Sequence, residues 1–128
     1  MALNVLIVDD SAVMRTMVLK VLKMSGVPLG EVYEAGDGKQ GLDVLDRNWV
    51  DLVIVDINMP VMTGVEMIDR IRANPSLADL PIVVVSTEGS ENRIGRLAEQ
   101  GVTFVHKPFT PEILKDAVTK LVEVPDAR

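Results

Sequence analysis

The sequence predicts a three-layer α/β fold of the (βα)5 kind, with a single parallel five-stranded sheet in the order 2-1-3-4-5 and helices on both faces. Three observations lead there. Short apolar runs rich in β-branched residues recur at 5–8 (VLIV), 52–55 (LVIV) and 82–85 (IVVV) without polar alternation, the pattern of strands covered on both sides. Segments with helical spacing separate them, so strand and helix alternate, and right-handed crossovers then leave few topologies. The 128-residue chain is long enough for one sizeable core and too short for two, so residues 1–128 are expected to form one domain with no output domain.

In chain order, the first strand over 5–8 runs into Asp9 and Asp10, and Ser11 is placed to cap the helix that follows. Val13, Met17 and Val21 form one i, i+4 row and Met14, Val18 and Leu22 a second, while Arg15, Lys20 and Lys23 fall elsewhere. This predicts an amphipathic helix over 12–24 with the two rows as its apolar face. A weaker strand over 32–35 precedes GDGKQGLDVLDRN, where Leu42 and Leu45 mark a short helix before Asp51 opens the third strand. NMPVMTG is loop, after which Val65, Ile68 and Ile71 restore the helical period until Asn74 and Pro75 stop it. Ile94, Leu97 and Ala98 mark a fourth helix, with Arg93 and Arg96 on a solvated face, and residues 102–106 form the fifth strand. Thr110 caps the last helix and Pro111 suits its first turn, with Ile113, Leu114, Ala117, Val118, Leu121 and Val122 on the inner face. The methionines at helical spacing act as core filler.

Composition narrows the function classes. Hydrophobic residues make up 48% against 3% aromatic, so the core is aliphatic. A net charge of −6 and a pI near 4.7 argue against a nucleic-acid or anionic-membrane surface, because both need clustered Lys and Arg. The absence of cysteine excludes a disulfide framework and a thiolate metal site. The opening apolar run is too short for a signal peptide, and no run approaches the roughly 20 residues of a membrane span, so the expected location is the cytoplasm.

In the order 2-1-3-4-5, strands 1 and 3 are neighbours, and the crevice beyond their carboxyl ends is where open α/β sheets bind ligands. Asp9, Asp10 and Asp56 all fall there. Adjacent strands lie about 4.8 Å apart, a separation at which two carboxylates repel by roughly 3 kcal/mol at an effective dielectric near 20. The trio therefore needs a raised pKa or added positive charge. A hard divalent cation meets the second need, since Mg2+ takes oxygen ligands and is commonly held by one or two carboxylates plus a phosphate oxygen. Lys107, at the end of strand 5, supplies a fixed ammonium, and strand 4 ends in the Ser86 and Thr87 hydroxyls, of which only one faces the site because strand side chains alternate. Such a rim is a phosphoryl site in outline, with Asp56 central enough to be the nucleophile.

Asp9-Asp10 after strand 1, DINMPVMTG around Asp56, the hydroxyl of Ser86 after strand 4 and Lys107-Pro108-Phe109 after strand 5 together resemble the receiver domain of two-component response regulators. The resemblance covers essentially the whole chain and is nearest to the single-domain, CheY-type regulators of chemotaxis, which have the flavodoxin/CheY-like fold. It implies that Asp56 accepts a phosphoryl group from a sensor histidine kinase or phosphotransfer protein, with Lys107 and Ser86 gripping the phosphoryl oxygens. It further implies Mg2+, with Mn2+ able to substitute, on Asp10, Asp56 and the Asn58 backbone carbonyl, with Asp9 acting through a bound water. Ser86 and Phe104 become the switch residues, Asn58 and Glu88 tune water access, and the Lys107–Pro108 peptide is cis. The output face is helix 4, strand 5 and helix 5, bound by a flagellar motor switch protein if the pathway is chemotaxis. Position in the motif favours Ser86 over Thr87, and Phe104 stands where Tyr is commoner.

Taken singly, each piece has a plainer explanation. Asp9 and Asp10 could cap the first helix, Asp56 could start a turn, Lys107 could be solvated and Phe104 could be core. Their coincidence at one sheet edge points to chemistry. His106, the only histidine, is expected to be exposed or partner-facing. A haloacid-dehalogenase-like phosphatase also uses an Asp nucleophile and Mg2+, but it wants a second acid where this chain has Asn58. A flavodoxin-like flavin site needs a phosphate-cradling loop after strand 1, and DDSAVM offers acids there instead.

Overall fold

Ten elements alternate along the chain: β1 (Leu3–Val8), α1 (Ala12–Met24), β2 (Leu29–Ala35), α2 (Gly38–Arg47), β3 (Leu52–Val55), α3 (Gly64–Ala73), β4 (Ile82–Ser86), α4 (Glu91–Glu99), β5 (Thr103–His106) and α5 (Pro111–Glu123). They come from a computed structural model that describes residues 2–87, 91–107 and 109–123. The strands form one sheet in the order β2-β1-β3-β4-β5, and every neighbouring pair is parallel.

Strand periodicity divides the core in two. Val5 and Ile7 of β1, with Leu52 and Ile54 of β3, face a layer made by Val18, Val21 and Leu22 of α1 and Leu114, Ala117 and Val118 of α5. Leu6 and Val8, with Val53 and Val55, face Leu45 of α2, Met67, Ile68 and Ile71 of α3 and Leu97 of α4. Burying such a side chain contributes about 1.5–3 kcal/mol, and the strands that carry most of them, β1, β3 and β4, are the interior ones. Their order makes β1 and β3 adjacent at the point where the chain switches from building one half of the sheet to the other.

Local signals set the helix boundaries. The Ser11 hydroxyl accepts from the Met14 amide at 3.2 Å and starts α1, Thr63 and Glu66 form a reciprocal capping box on α3, and the Thr110 hydroxyl accepts from the Ile113 amide to start α5. Asn74 ends α3 as expected. Among the described residues no helix is long and apolar enough to cross a membrane.

Several expectations are corrected. β1 begins two residues before its apolar run and β2 three residues before 32, because Leu3 pairs with Leu29 at the start of the ladder. On α1, Val13 is 77% and Met17 45% exposed, so the buried row is Val18, Val21 and Leu22, with Met14 half-buried. Ile113, also predicted to face inward, is 50% exposed. The cause is shared: a helix that follows a parallel strand begins at the carboxyl edge, where the sheet beneath it has ended. Of the methionines, Met59 and Met67 are buried, whereas Met17 and Met24 are exposed. The Val122 and Arg93 side chains lie outside the described residues.

Candidate functional site

The register of β1 on β3 pairs Val8 with Val55, so the next residue of each strand, Asp9 and Asp56, emerges side by side at the carboxyl edge. Each acid is anchored by its own backbone: the Asp9 amide donates to the Ala35 carbonyl and the Asp56 amide to the Val8 carbonyl, both at 3.0 Å. The Asp9 Oδ1 accepts from the Ser11 amide at 2.9 Å, and the Asp56 Oδ1 from the Ile57 amide at 2.8 Å. One carboxylate oxygen from each of Asp9, Asp10 and Asp56 lies within 4.8 Å of the others. Asp9 and Asp56 are buried and Asp10 is exposed, which leaves the cluster open on one side.

Positive charge comes from β5. The Lys107 amide donates to the Ser86 carbonyl at 3.0 Å, continuing the β4–β5 ladder by one residue. Its ammonium lies 3.5 Å from Asp9 Oδ2 and 3.8 Å from Asp56 Oδ1. Among the described residues of the cluster, one ammonium stands against three carboxylates. Burial pushes the Asp56 carboxyl above its ordinary value; Lys107 pulls it down, Asp9 pushes it up, and the Ile57 amide and Ser86 hydroxyl favour the charged form, with a net upward shift. The donor set is all hard oxygen and open to solvent on one side, so the cluster is able to chelate a metal ion and suits a hard divalent cation.

The loop from β3 to α3 frames the other side. The Gly64 amide donates to the Ile57 carbonyl at 2.8 Å, and a Cβ at Gly64 would collide with the Asp56 carbonyl oxygen, so only glycine lets α3 begin this close to the acid. Val61 sits at φ 66° while the Met62 amide donates to the Pro60 carbonyl at 2.6 Å, a tight three-residue turn about a β-branched residue. Asn58 is exposed on this loop.

Of the residues predicted from sequence, the structure thus brings Asp9, Asp10, Asp56, Lys107 and Ser86 together. Ser86 is fully buried and its hydroxyl favours the charged form of Asp56, whereas Thr87 is exposed. Phe104 is half-buried against the cluster that contains Leu97 of α4, with its ring centroid 4.6 Å from that of the exposed His106. Glu88 and Pro108, and with Pro108 the isomer of the Lys107–Pro108 peptide, lie outside the described residues.

Comparison with known proteins decides the family. Residues 5–119 match the response regulator receiver domain. The chain belongs to that family. The receiver is 35% identical over 122 residues to a chemotaxis protein CheY of Pseudomonas aeruginosa, covering 94% of this chain and 97% of that protein. It is 37% identical over 116 residues to a chemotaxis protein CheY homolog of Campylobacter jejuni, covering 89% and 88%. Among solved structures it superposes on the chemotaxis protein CheY4 of Vibrio cholerae with a TM-score of 0.83 and 34% identity, covering 95% of this chain and all of that one. It is a receiver of the CheY type, a phosphorylation-controlled switch of two-component signalling. The phosphatase alternative gains no support, and an exposed amide, Asn58, occupies the position where that chemistry needs an acid.

Three contributors to the site escaped the sequence reading. Arg15 was placed on the polar side of α1, yet it folds back against the Asp9 carbonyl. Gly64 looked like ordinary loop. Met14 and Met17, read only as core filler, join Thr87, Lys107 and Phe109 in lining a cavity of about 280 Å³ at the mouth of the crevice.

Proposed function

We propose that Asp56 is the phosphoryl acceptor of this receiver. The observation that carries the reading is a buried carboxylate within 4 Å of Lys107 and beside two further acids at the mouth of one crevice. The donor is a phosphohistidine on a sensor histidine kinase or phosphotransfer protein. An Asp56 oxygen attacks phosphorus, the P–N bond breaks, and the electron pair leaves on the donor imidazole. Desolvation makes that oxygen more basic than an exposed carboxylate. Lys107 holds the oxygens of the transferring group and offsets their charge.

Asp9, Asp10 and Asp56, with the Asn58 backbone carbonyl, would hold Mg2+, and Mn2+ in its place. When bound, the cation neutralises charge on the phosphoryl oxygens. The apolar mouth of Met14, Met17 and Phe109, next to the exposed Val13, is the side from which the donor reaches Asp56. After transfer the Ser86 hydroxyl follows the phosphoryl oxygens, Phe104 repacks, and the surface of α4, β5 and α5 shifts between two states. Attack of water on the acyl phosphate restores Asp56 and releases inorganic phosphate, with Asn58 and Glu88 controlling access. That relatives of 35% and 37% identity are chemotaxis proteins supports a chemotaxis pathway, in which the target would be a flagellar motor switch protein.

Intact mass after incubation with acetyl phosphate tests the chemistry. The native chain gains one phosphoryl group only when Mg2+ is present, and Asp56→Asn gains none. An Asp56→Asn variant modified to the native extent would overturn the assignment.

A further inference from the structure

Arg15 is drawn into the site from the helix that leaves it. Its side chain is only 19% exposed, its Nη1 donates to the Asp9 carbonyl at 2.5 Å, and its Nε donates to Glu34 Oε1 at 2.8 Å. Glu34 lies on β2 opposite Ile7 of β1, so an acid on the neighbouring strand steers an arginine on α1 onto the strand between them. The other polar groups of Asp9 are engaged elsewhere: its amide with Ala35, one carboxylate oxygen with the Ser11 amide, the other beside Lys107. The carbonyl is the remaining handle on the turn from β1 into α1, and Arg15 takes it.

That carbonyl belongs to the same planar unit as the Asp10 amide. Fixing its oxygen fixes the plane from which the Asp10 Cα projects, and Asp10 is the exposed member of the acidic trio beside two buried acids. We infer that Arg15, oriented by Glu34, is a positioning residue that sets the direction in which Asp10 presents its carboxylate to the cation. The inference rests on the acidic cluster being the Mg2+ seat. It demands arginine in particular. A guanidinium can give one nitrogen to Glu34 and another to Asp9, whereas the single tip of lysine cannot span both.

The test is the Mg2+ dissociation constant of the full chain, read from the amide chemical shifts of residues 9–11, for native protein, Arg15→Lys, Arg15→Gln and Glu34→Ala. Amide exchange in β1 and β3 reports on the fold. Arg15→Lys and Arg15→Gln are expected to bind Mg2+ about tenfold more weakly, the scale of losing a supporting contact behind a metal ligand, and Glu34→Ala to lose less in the same direction. The deficit in acetyl phosphate turnover should appear as a higher Mg2+ requirement and be recovered at saturating Mg2+. Arg15→Lys binding as tightly as native would overturn the proposal, because charge without the fork would then suffice. Native protein that fails to bind Mg2+ would overturn the metal reading and this proposal together, whereas native binding with unaltered variants would overturn this proposal alone.

Discussion

Asp56 has to be ionised in a place that disfavours charge. Burial raises its pKa, and Lys107, the Ile57 amide and the Ser86 hydroxyl only partly offset that. Because the folded-state pKa lies above the unfolded one, the contribution of Asp56 to stability is fully present below the ordinary carboxylate value of about 3.9. It is lost as pH rises through the folded value. Asp56→Asn is therefore expected to melt at a higher temperature than native protein at pH 7 in metal-free buffer, with the gap narrowing as the pH approaches 4. Thermal scans across that range check it, and a variant less stable than native at pH 7 would contradict the electrostatic account. At this scale the sequence was legible wherever position alone determined chemistry. Asp9, Asp56 and Lys107 end strands that must be parallel, so topology places them together. Arg15 was not legible, because helical periodicity assigns a side chain to a face and does not show that the main chain behind it has a free carbonyl.

Among the elements, the β3–α3 loop carries the strain. Val61 is 78% exposed and held at φ 66°, a region that costs a β-branched residue about 1–3 kcal/mol. Val61→Asn keeps little side chain to lose and tolerates the left-handed conformation, so it is expected to stabilise the protein by about 1 kcal/mol. Denaturant titration reads this directly, as a shift of the midpoint without a change of slope. NMPVMTG was recognisable as loop from its Pro and Gly, but no local rule assigns a left-handed conformation to valine, so the turn about Val61 could not be foreseen. Similarly, α1 was located to the residue by Ser11 and its apolar spacing, while the outward face of Val13 and Met17 was missed. Spacing shows which residues align and leaves open where the sheet beneath them stops.

The whole molecule is a device for concentrating charge at one edge. Two aliphatic clusters on opposite faces hold β1, β3 and β4 so firmly that the residues just past their ends have fixed neighbours. The architecture was legible in full because β-branched runs, strict alternation and handedness leave little freedom; strand ends were less so, since edge pairing between Leu3 and Leu29 depends on a partner distant in sequence. The fold also makes one carboxylate unlike the rest. Among the described acidic residues, Asp56 combines burial, a carboxyl held above its ordinary value and the nearby Lys107 ammonium. The most direct test of that claim is to phosphorylate the native chain with acetyl phosphate and Mg2+, reduce the acyl phosphate with borohydride so that the modified aspartate becomes homoserine, and map the peptides. Homoserine at position 56 alone is the predicted result. Homoserine at position 9 or 10, or spread among exposed acids, would contradict the account.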